Sequence, residues 1–159
     1  MLRWADVLKD KSLRNLPYKV ELDGYGRILL TPRTNQGGIF RAEIAGLLGK
    51  SRGGGVLAGG AVETFAGVQV ADVAWASREF LRKHHFATPC KVAPEICVEI
   101  ASPLVSPNVI EERVMWYLSK GAREVWVCDK NGNIAFHDFS GKLKKSKLAA
   151  KFPSKISIR

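Results

Sequence analysis

The sequence lacks any long apolar segment. Its longest stretch without a charged residue runs from Ile100 to Ile110 and contains two prolines. A membrane-spanning helix needs roughly 20 consecutive apolar residues. The first ten residues mix polar and apolar side chains, which is not the pattern of a secretory signal peptide. We therefore expect a cytoplasmic protein with no membrane partner.

Cysteine is also scarce. Cys90, Cys97 and Cys128 are the three cysteines, and no two of them have the Cys-x-x-Cys spacing of a zinc site. Cys97 and Cys128 lie in apolar segments, where a free cysteine behaves as a small hydrophobic residue. This pattern excludes a disulfide scaffold and is typical of a reducing compartment.

Acidic residues are outnumbered, at 15 Asp and Glu against 25 Lys and Arg, and the formal net charge is +10. Such an excess indicates a polyanionic partner, which is usually nucleic acid and less often an acidic membrane surface. We interpret residues 1–143 as one domain and residues 144–159 as a basic C-terminal tail, because the tail has lysines and no acid. We expect that tail to be a solvated or partly disordered segment that attracts phosphate without regard to base sequence.

No working nucleotide-binding motif is present. Gly49-Lys50-Ser51 resembles the end of a phosphate-binding loop, but Ile44 stands where that motif requires a glycine. Residues 53–58 fit the letters of a dinucleotide-binding turn but precede a predicted strand, whereas the motif must follow one. Both segments are interpreted as glycine-containing loops.

The spacing of apolar residues predicts an α/β fold around a mixed central sheet, with an N-terminal β-hairpin. Ser77 and Ser106-Pro107 are good helix starts, and Asn131-Gly132 is typical of a type I′ hairpin turn. The predicted helices are 3–14, 38–50, 77–85 and 108–120, and the predicted strands are 18–22, 27–30, 56–65, 68–76, 95–101, 124–128 and 134–139.

Two of these strands each contain one carboxylate in an otherwise apolar segment. Asp72 lies within Val-Gln-Val-Ala-Asp-Val-Ala-Trp-Ala, and Glu99 lies within Ile-Cys-Val-Glu-Ile-Ala. A buried ionised carboxylate is costly unless it has a partner. Two such acids are typical of a site for a hard divalent cation, because Mg²⁺ is commonly held by one or two carboxylates with waters and substrate phosphate. Alternatively, Asp72 pairs with an arginine of the core or lies at a sheet edge.

Arg113 lies on the helix that follows the Glu99 strand. Its spacing from Val109, Trp116 and Tyr117 places it beside the more apolar side of that helix. From there its side chain either extends outward to solvent or reaches the same sheet edge as the two acids. The spacing leaves both possibilities open.

Several segments, taken together, resemble a known family. They are TPRTNQGG at 31–38, VQVADVAW at 68–75, PEICVEIASP at 94–103 and ERVMWYLSKGAREVWVCD at 112–129. In this order they resemble the Uma-two family of restriction endonucleases, within the PD-(D/E)xK nuclease superfamily. The resemblance extends from about residue 4 to about residue 143, and the combination of segments is what makes it specific.

The resemblance implies a restriction-endonuclease-like fold, with a mixed central sheet flanked by helices. It also implies a Mg²⁺- or Mn²⁺-dependent endonuclease that hydrolyses phosphodiester bonds in DNA. Asp72 and Glu99 match the acidic residues of the family's motif and would hold the metal, with the backbone carbonyl of Ile100 as a further ligand. Arg113 stands where the family has a lysine, on the helix. Since arginine stays charged, Arg113 could stabilise the charge that builds on the scissile phosphate but could hardly act as a base. A homodimer is expected, because two active sites make cutting of both strands simple.

Two other hypotheses remain open. Arg113 in place of lysine, Gly37 in place of a frequent histidine and the basic tail are compatible with a lapsed nuclease that still binds nucleic acid. The third hypothesis is a protein-interaction module in which Asp72 and Glu99 are structural. It predicts neither metal binding nor salt-sensitive DNA binding.

Overall fold

The structure, a computed structural model, describes residues 1–158. Within them the chain forms four α-helices and ten strands. The helices are α1 (Trp4–Lys9), α2 (Asn35–Ser51), α3 (Arg78–His84) and α4 (Pro107–Ser119). The strands are β1 (Tyr18–Asp23), β2 (Ile28–Pro32), β3 (Gly55–Leu57), β4 (Gly60–Thr64), β5 (Gly67–Ala71), β6 (Val73–Ala76), β7 (Ile96–Ile100), β8 (Glu124–Cys128), β9 (Ile134–Asp138) and β10 (Gly141–Leu143).

The strands form two sheets. The smaller sheet has the order β2-β1-β5-β4 and is antiparallel, so the predicted N-terminal hairpin is joined to strands from the middle of the chain. The larger sheet has the order β10-β9-β8-β7-β6-β3 and is mixed, because β7 and β8 are parallel and its other pairs are antiparallel. The predicted α/β fold with a mixed sheet flanked by helices is confirmed.

The first predicted helix is shorter than expected. It ends at Lys9, because the carboxylate of Asp10 accepts a hydrogen bond from the backbone N–H of Ser12 and begins a short 3-10 turn at Lys11–Leu13. The other helices begin at hydroxyl caps. Thr34, Ser77 and Ser106 each accept a hydrogen bond from the backbone N–H three residues further on.

The predicted strand 68–76 is divided at Asp72. Residues before it pair with β1 and β4 in the smaller sheet, and residues after it pair with β3 and β7 in the larger sheet. Asp72 therefore lies at the corner where one continuous segment passes between sheets. The prediction of one strand was wrong here because apolar periodicity does not reveal which partner strand each half pairs with.

Two apolar clusters cover the two faces of the larger sheet. Phe40, Ile44 and Leu48 of α2 pack on one face, against Val98 and Trp126 among others. On the opposite face, Val114, Tyr117 and Leu118 of α4 pack against residues that include Cys97 and Val125. Because side chains alternate along a strand, Glu99 lies with Cys97 on the face of the larger sheet against which α4 packs.

The segment after Leu143 is docked onto the larger sheet. We call residues 144–158 the C-terminal strap. Its lysines are exposed, as expected for a solvated segment, but Ser146, Ala149, Phe152 and Ile156 are buried. The buried carboxylate of Glu124 anchors it by accepting hydrogen bonds from the hydroxyl of Ser146 and from the backbone N–H groups of residues 147 and 148. The expectation of a solvated segment is therefore wrong for its apolar residues, which find partners in the core.

The turn between β8 and β9 also differs from the prediction. Gly132 has a φ of +84°, but Asn131 is not among the residues with positive φ. A type I′ turn requires positive φ at both central residues. Instead, the carboxylate of Asp129 accepts hydrogen bonds from the backbone N–H groups of Asn131 and Asn133 and closes a longer turn.

No helix within residues 1–158 combines the length and the apolar character that crossing a membrane requires.

Candidate functional site

Asp72 and Glu99 face each other across two neighbouring strands. The antiparallel register pairs Val73 with Val98 and Ala74 with Cys97, and one step further along this register brings Asp72 opposite Glu99. Both side chains are buried, to 8% and 2% relative exposure. Two acids from separate parts of the sequence therefore lie next to each other at one corner of the fold.

A lysine from the smaller sheet lies between them. The Nζ atom of Lys19 on β1 is 2.9 Å from Oε2 of Glu99 and 3.3 Å from Oδ1 of Asp72. The Lys19 side chain is itself only 8% exposed. The space between the two carboxylates is thus a position that a positive charge already occupies.

The other oxygen of each carboxylate is held by the protein. Oδ2 of Asp72 accepts a hydrogen bond of 2.7 Å from the backbone N–H of Ile100. Oε1 of Glu99 accepts one of 2.6 Å from the hydroxyl of Tyr117 on α4. Each acid therefore has one oxygen fixed in place and one oxygen directed at the ammonium of Lys19.

Arg113 extends inward, not outward. Its two terminal nitrogens donate to the two carboxylate oxygens of Glu21, at 2.6 and 2.7 Å, and one of them is 3.8 Å from Oε1 of Glu99. Glu21 also accepts a hydrogen bond from the backbone N–H of Val70. The paired guanidinium and carboxylate are a strong, geometrically specific contact. Arg113 thus lies beside Asp72 and Glu99, but its terminal nitrogens are directed at a third buried carboxylate, that of Glu21.

The buried charges do not balance. Three carboxylates, on Glu21, Asp72 and Glu99, face two buried cations, Lys19 and Arg113. Burial, with a smaller contribution from the charge of Asp72, raises the pKa of Glu99 to about 7 despite the opposing attraction of Lys19. Burial would lower the pKa of Lys19, but the attraction of Glu99, Asp72 and Glu21 together raises it. The cluster therefore keeps a charged lysine and favours one additional positive charge.

The site opens into a pocket of about 240 Å³. Arg33, Arg41 and Lys130 line it together with the acids and Lys19. Arg33 reaches Asp72, with 3.5 Å between its nitrogen and Oδ1. The floor of the pocket is acidic and its walls carry cationic side chains, an arrangement that suits a metal ion bound below a phosphate group.

The oxygen ligands fit a hard divalent cation. Oδ1 of Asp72 and Oε2 of Glu99 are the two oxygens that bind Lys19 instead of a backbone or hydroxyl donor, and Ile100 lines the same pocket. Within the described residues, no three His, Cys, Asp or Glu side chains cluster as metal ligands. A cation here would therefore complete its coordination with water, a carbonyl or substrate phosphate, as Mg²⁺ commonly does.

Three residues of this cluster were not predicted from the sequence: Lys19, Glu21 and Tyr117. The two charged residues alternate with Val20 and Leu22 in a hairpin, and this alternation is typical of a strand with one solvated face. Both are buried, because the hairpin packs that face over the acids. No local signal in the sequence distinguishes Lys19 and Glu21 from the solvated face of an ordinary hairpin.

Comparisons with known proteins support the fold. No family model and no curated protein matches the sequence. A solved structure does match: a chain from Anabaena variabilis described as a "putative nuclease belonging to DUF820", with a TM-score of 0.73 and 14% sequence identity. The match covers 98% of this chain and 95% of that chain. The two chains therefore share one fold over nearly their whole lengths.

Proposed function

We propose that this protein is a metal-dependent endonuclease that hydrolyses phosphodiester bonds in DNA, with Mg²⁺ or Mn²⁺ as its cofactor. The observation that carries the proposal is the pair of opposed carboxylates, Asp72 and Glu99, at the base of a pocket with cationic walls. The shared fold with the chain described as a "putative nuclease belonging to DUF820" supports it. The resemblance to the Uma-two family points in the same direction.

In this proposal Asp72 and Glu99 hold the metal through Oδ1 and Oε2, with the carbonyl of Ile100 as a further ligand. A metal bound there would lower the pKa of a water molecule and neutralise charge on the phosphate. The backbone N–H of Ile100 and the hydroxyl of Tyr117 orient the two carboxylates, as outer hydrogen-bond partners do in metal sites.

The cations of the pocket divide into two groups. Arg33 and Arg41 line the pocket wall, where they bind the phosphate backbone. A metal held by Asp72 and Glu99 would take the position that the ammonium of Lys19 occupies between them, and would leave Lys19 as a further cation for the phosphate. Arg113 neutralises Glu21 and supports Glu99, and at 3.8 Å from Glu99 it adds positive charge beside the reacting phosphate.

The test is cleavage of supercoiled plasmid with Mn²⁺, with Mg²⁺ and with a chelator. We expect metal-dependent nicking that Asp72→Asn and Glu99→Gln each abolish while DNA binding is retained. Glu63→Gln is the matched control, because Glu63 is an exposed strand acid outside the pocket. Cleavage by Asp72→Asn at the wild-type rate would refute the site.

A second function has its own support, namely a nucleic-acid-binding protein that no longer cleaves. Lys19 fills the space between the acids and Arg113 is bound to Glu21, so both of these cations are already paired with carboxylates of the protein. This protein would bind DNA in a salt-sensitive way but would not nick plasmid at any Mn²⁺ concentration. The plasmid assay thus separates the two functions.

We also propose a homodimer, in which two active sites cut the two strands. Analytical ultracentrifugation with and without a DNA duplex tests this. A monomer in both conditions would contradict the proposal.

A further inference from the structure

A second groove adjoins the acidic pocket. It has a volume of about 530 Å³ and shares Gln36, Phe40 and Lys130 with the first pocket as lining residues. The two cavities are therefore neighbours that meet at the start of α2 and at the turn between β8 and β9. Its remaining lining residues are Asn131, Asn133, Lys155, Ile156, Ser157 and Ile158.

The C-terminal strap builds the far wall of this groove. The backbone N–H of Ile134 donates to the carbonyl of Ser154, and that of Ile156 donates to the carbonyl of Gly132. Asn133 and Lys155 are paired as in an antiparallel ladder. Two main-chain hydrogen bonds thus hold Lys155 opposite the turn that carries Lys130.

The chemistry of the lining is that of a phosphate-backbone site. Lys130 and Lys155 are exposed cations, and no carboxylate is among the groove's described lining residues. The nearby Asp129 does not line it, since its carboxylate accepts hydrogen bonds from Asn131 and Asn133 of the turn. Buried Phe40 and Ile156 supply an apolar floor, and amide and hydroxyl groups supply further donors.

We propose that this groove is a subsite for the DNA strand that continues from the cleaved bond. Lys130 and Lys155 bind backbone phosphates there, and the apolar floor contacts the sugar. The inference rests on the proposed function for the identity of the ligand. It adds that the strap, which lies apart from the acids in sequence, is part of the substrate-binding surface.

The experiment measures binding of a fluorescein-labelled DNA oligonucleotide by anisotropy in chelator, so that cleavage does not occur. Wild type is compared with Lys130→Ala/Lys155→Ala across a series of salt concentrations. We expect affinity near 0.1 M salt to fall roughly tenfold or more, and the slope of log affinity against log salt to fall by about 2, one for each lost phosphate contact. Lys130→Arg/Lys155→Arg should restore both values.

The matched control is Lys142→Ala/Lys144→Ala. It removes the same charge from two exposed lysines that line neither cavity. If both double variants lose affinity equally, the attraction is diffuse and the groove assignment is overturned. Thermal unfolding of all variants verifies that they are folded.

Plasmid nicking by the same proteins separates this inference from the proposed function. Wild type that binds DNA through Lys130 and Lys155 but never nicks supports the groove and refutes the endonuclease. Wild type that nicks, with Lys130→Ala/Lys155→Ala indistinguishable from the control, refutes the groove and leaves the endonuclease standing. A wild type that neither binds nor nicks refutes both.

Discussion

Lys19 and Glu99 are 80 residues apart in the sequence and belong to different sheets, yet their charged atoms lie 2.9 Å apart. The contact joins the N-terminal hairpin to the centre of the larger sheet. It also places an ammonium where a metal ion would bind two carboxylates. The same contact therefore affects both the stability of the fold and the affinity of the site for a cation.

Lys19→Met should increase metal affinity. In the proposed site a metal ion would have to displace the ammonium of Lys19 from between Asp72 and Glu99, and methionine removes this competition while keeping the side chain's length. We expect Mn²⁺ to bind roughly tenfold more tightly in calorimetry, because uncompensated ligand charge favours the cation. Without metal the variant should be less stable by about 3 kcal/mol, the cost of breaking a buried ion pair. Exposed Lys142→Met is the control, and unchanged Mn²⁺ affinity in Lys19→Met would contradict the competition.

Tyr117→Phe should weaken the metal site without removing a ligand. The hydroxyl of Tyr117 donates to Oε1 of Glu99 at 2.6 Å and holds that carboxylate in orientation. Loss of such an outer partner typically lowers metal affinity by about 10- to 100-fold. Calorimetry with Mn²⁺ measures this, with Tyr25→Phe as control because Tyr25 is 78% exposed. Equal affinities in the two variants would show that Tyr117 does not orient Glu99.

Arg113→Lys should destabilise the protein. One ammonium cannot reproduce the two parallel hydrogen bonds that Arg113 donates to Glu21. We expect the free energy of unfolding in urea to fall by roughly 2 kcal/mol, and Arg113→Gln to cost more because Glu21 then loses its cation. The exposed Arg123→Lys serves as the reference. If Arg113→Lys keeps wild-type stability but loses cleavage, the guanidinium acts on the phosphate and not through Glu21.

Glu99 should make the metal-free protein less stable as pH rises. The pKa of Glu99 is raised from 4.5 to about 7 in the folded state. Between these two pH values the folded protein therefore keeps a proton on Glu99 that the unfolded protein has released. Stability from this group is fully present below about pH 4.5 and is lost as pH rises through about 7. Glu99→Gln should remove this pH dependence, which is at most about 3 kcal/mol. Urea unfolding in chelator at several pH values measures it, and parallel profiles for the two proteins would contradict the assignment.

Gly132→Ala should detach the C-terminal strap. An added Cβ at Gly132 would lie 2.4 Å from the carbonyl oxygen of Ile156, whereas one at Gly141 meets nothing within 4 Å. Both glycines have positive φ, so alanine strains the backbone at either position. We expect Gly132→Ala to lose more stability than Gly141→Ala, by roughly 1–3 kcal/mol, with faster amide exchange at Ile134 and Ile156. Equal losses would show that the strap adjusts without cost.

Much of the fold was predictable because its signals are local. Hydroxyl caps at Ser77 and Ser106 and the apolar spacing of α4 lie within a few residues of the features they predict. Asp72 and Glu99 were singled out for a similar reason. A carboxylate in an apolar strand conflicts with its own neighbours, so it indicates a partner even before that partner is known.

The partners themselves were not predictable. Lys19 and Glu21 alternate with apolar residues, as the exposed face of any hairpin does, and only the packing of the two sheets buries them. The strap was interpreted as a tail because its composition is basic. In the structure, Phe152 and Ile156 are buried in the core while the lysines point outward. Composition averages over these two faces, so it cannot show that one of them is buried.

The sequence by itself determined the net positive charge. It also determined most of the helices and strands and the two acids that conflict with their surroundings, because these depend on residues close together in the chain. Only the tertiary structure decided that Asp72 faces Glu99, that Lys19 lies between them and that the strap adjoins their pocket. Those relationships depend on strand register and on the passage of one segment between two sheets at Asp72. Register and sheet exchange are set by the summed burial of many distant side chains, which no local pattern encodes.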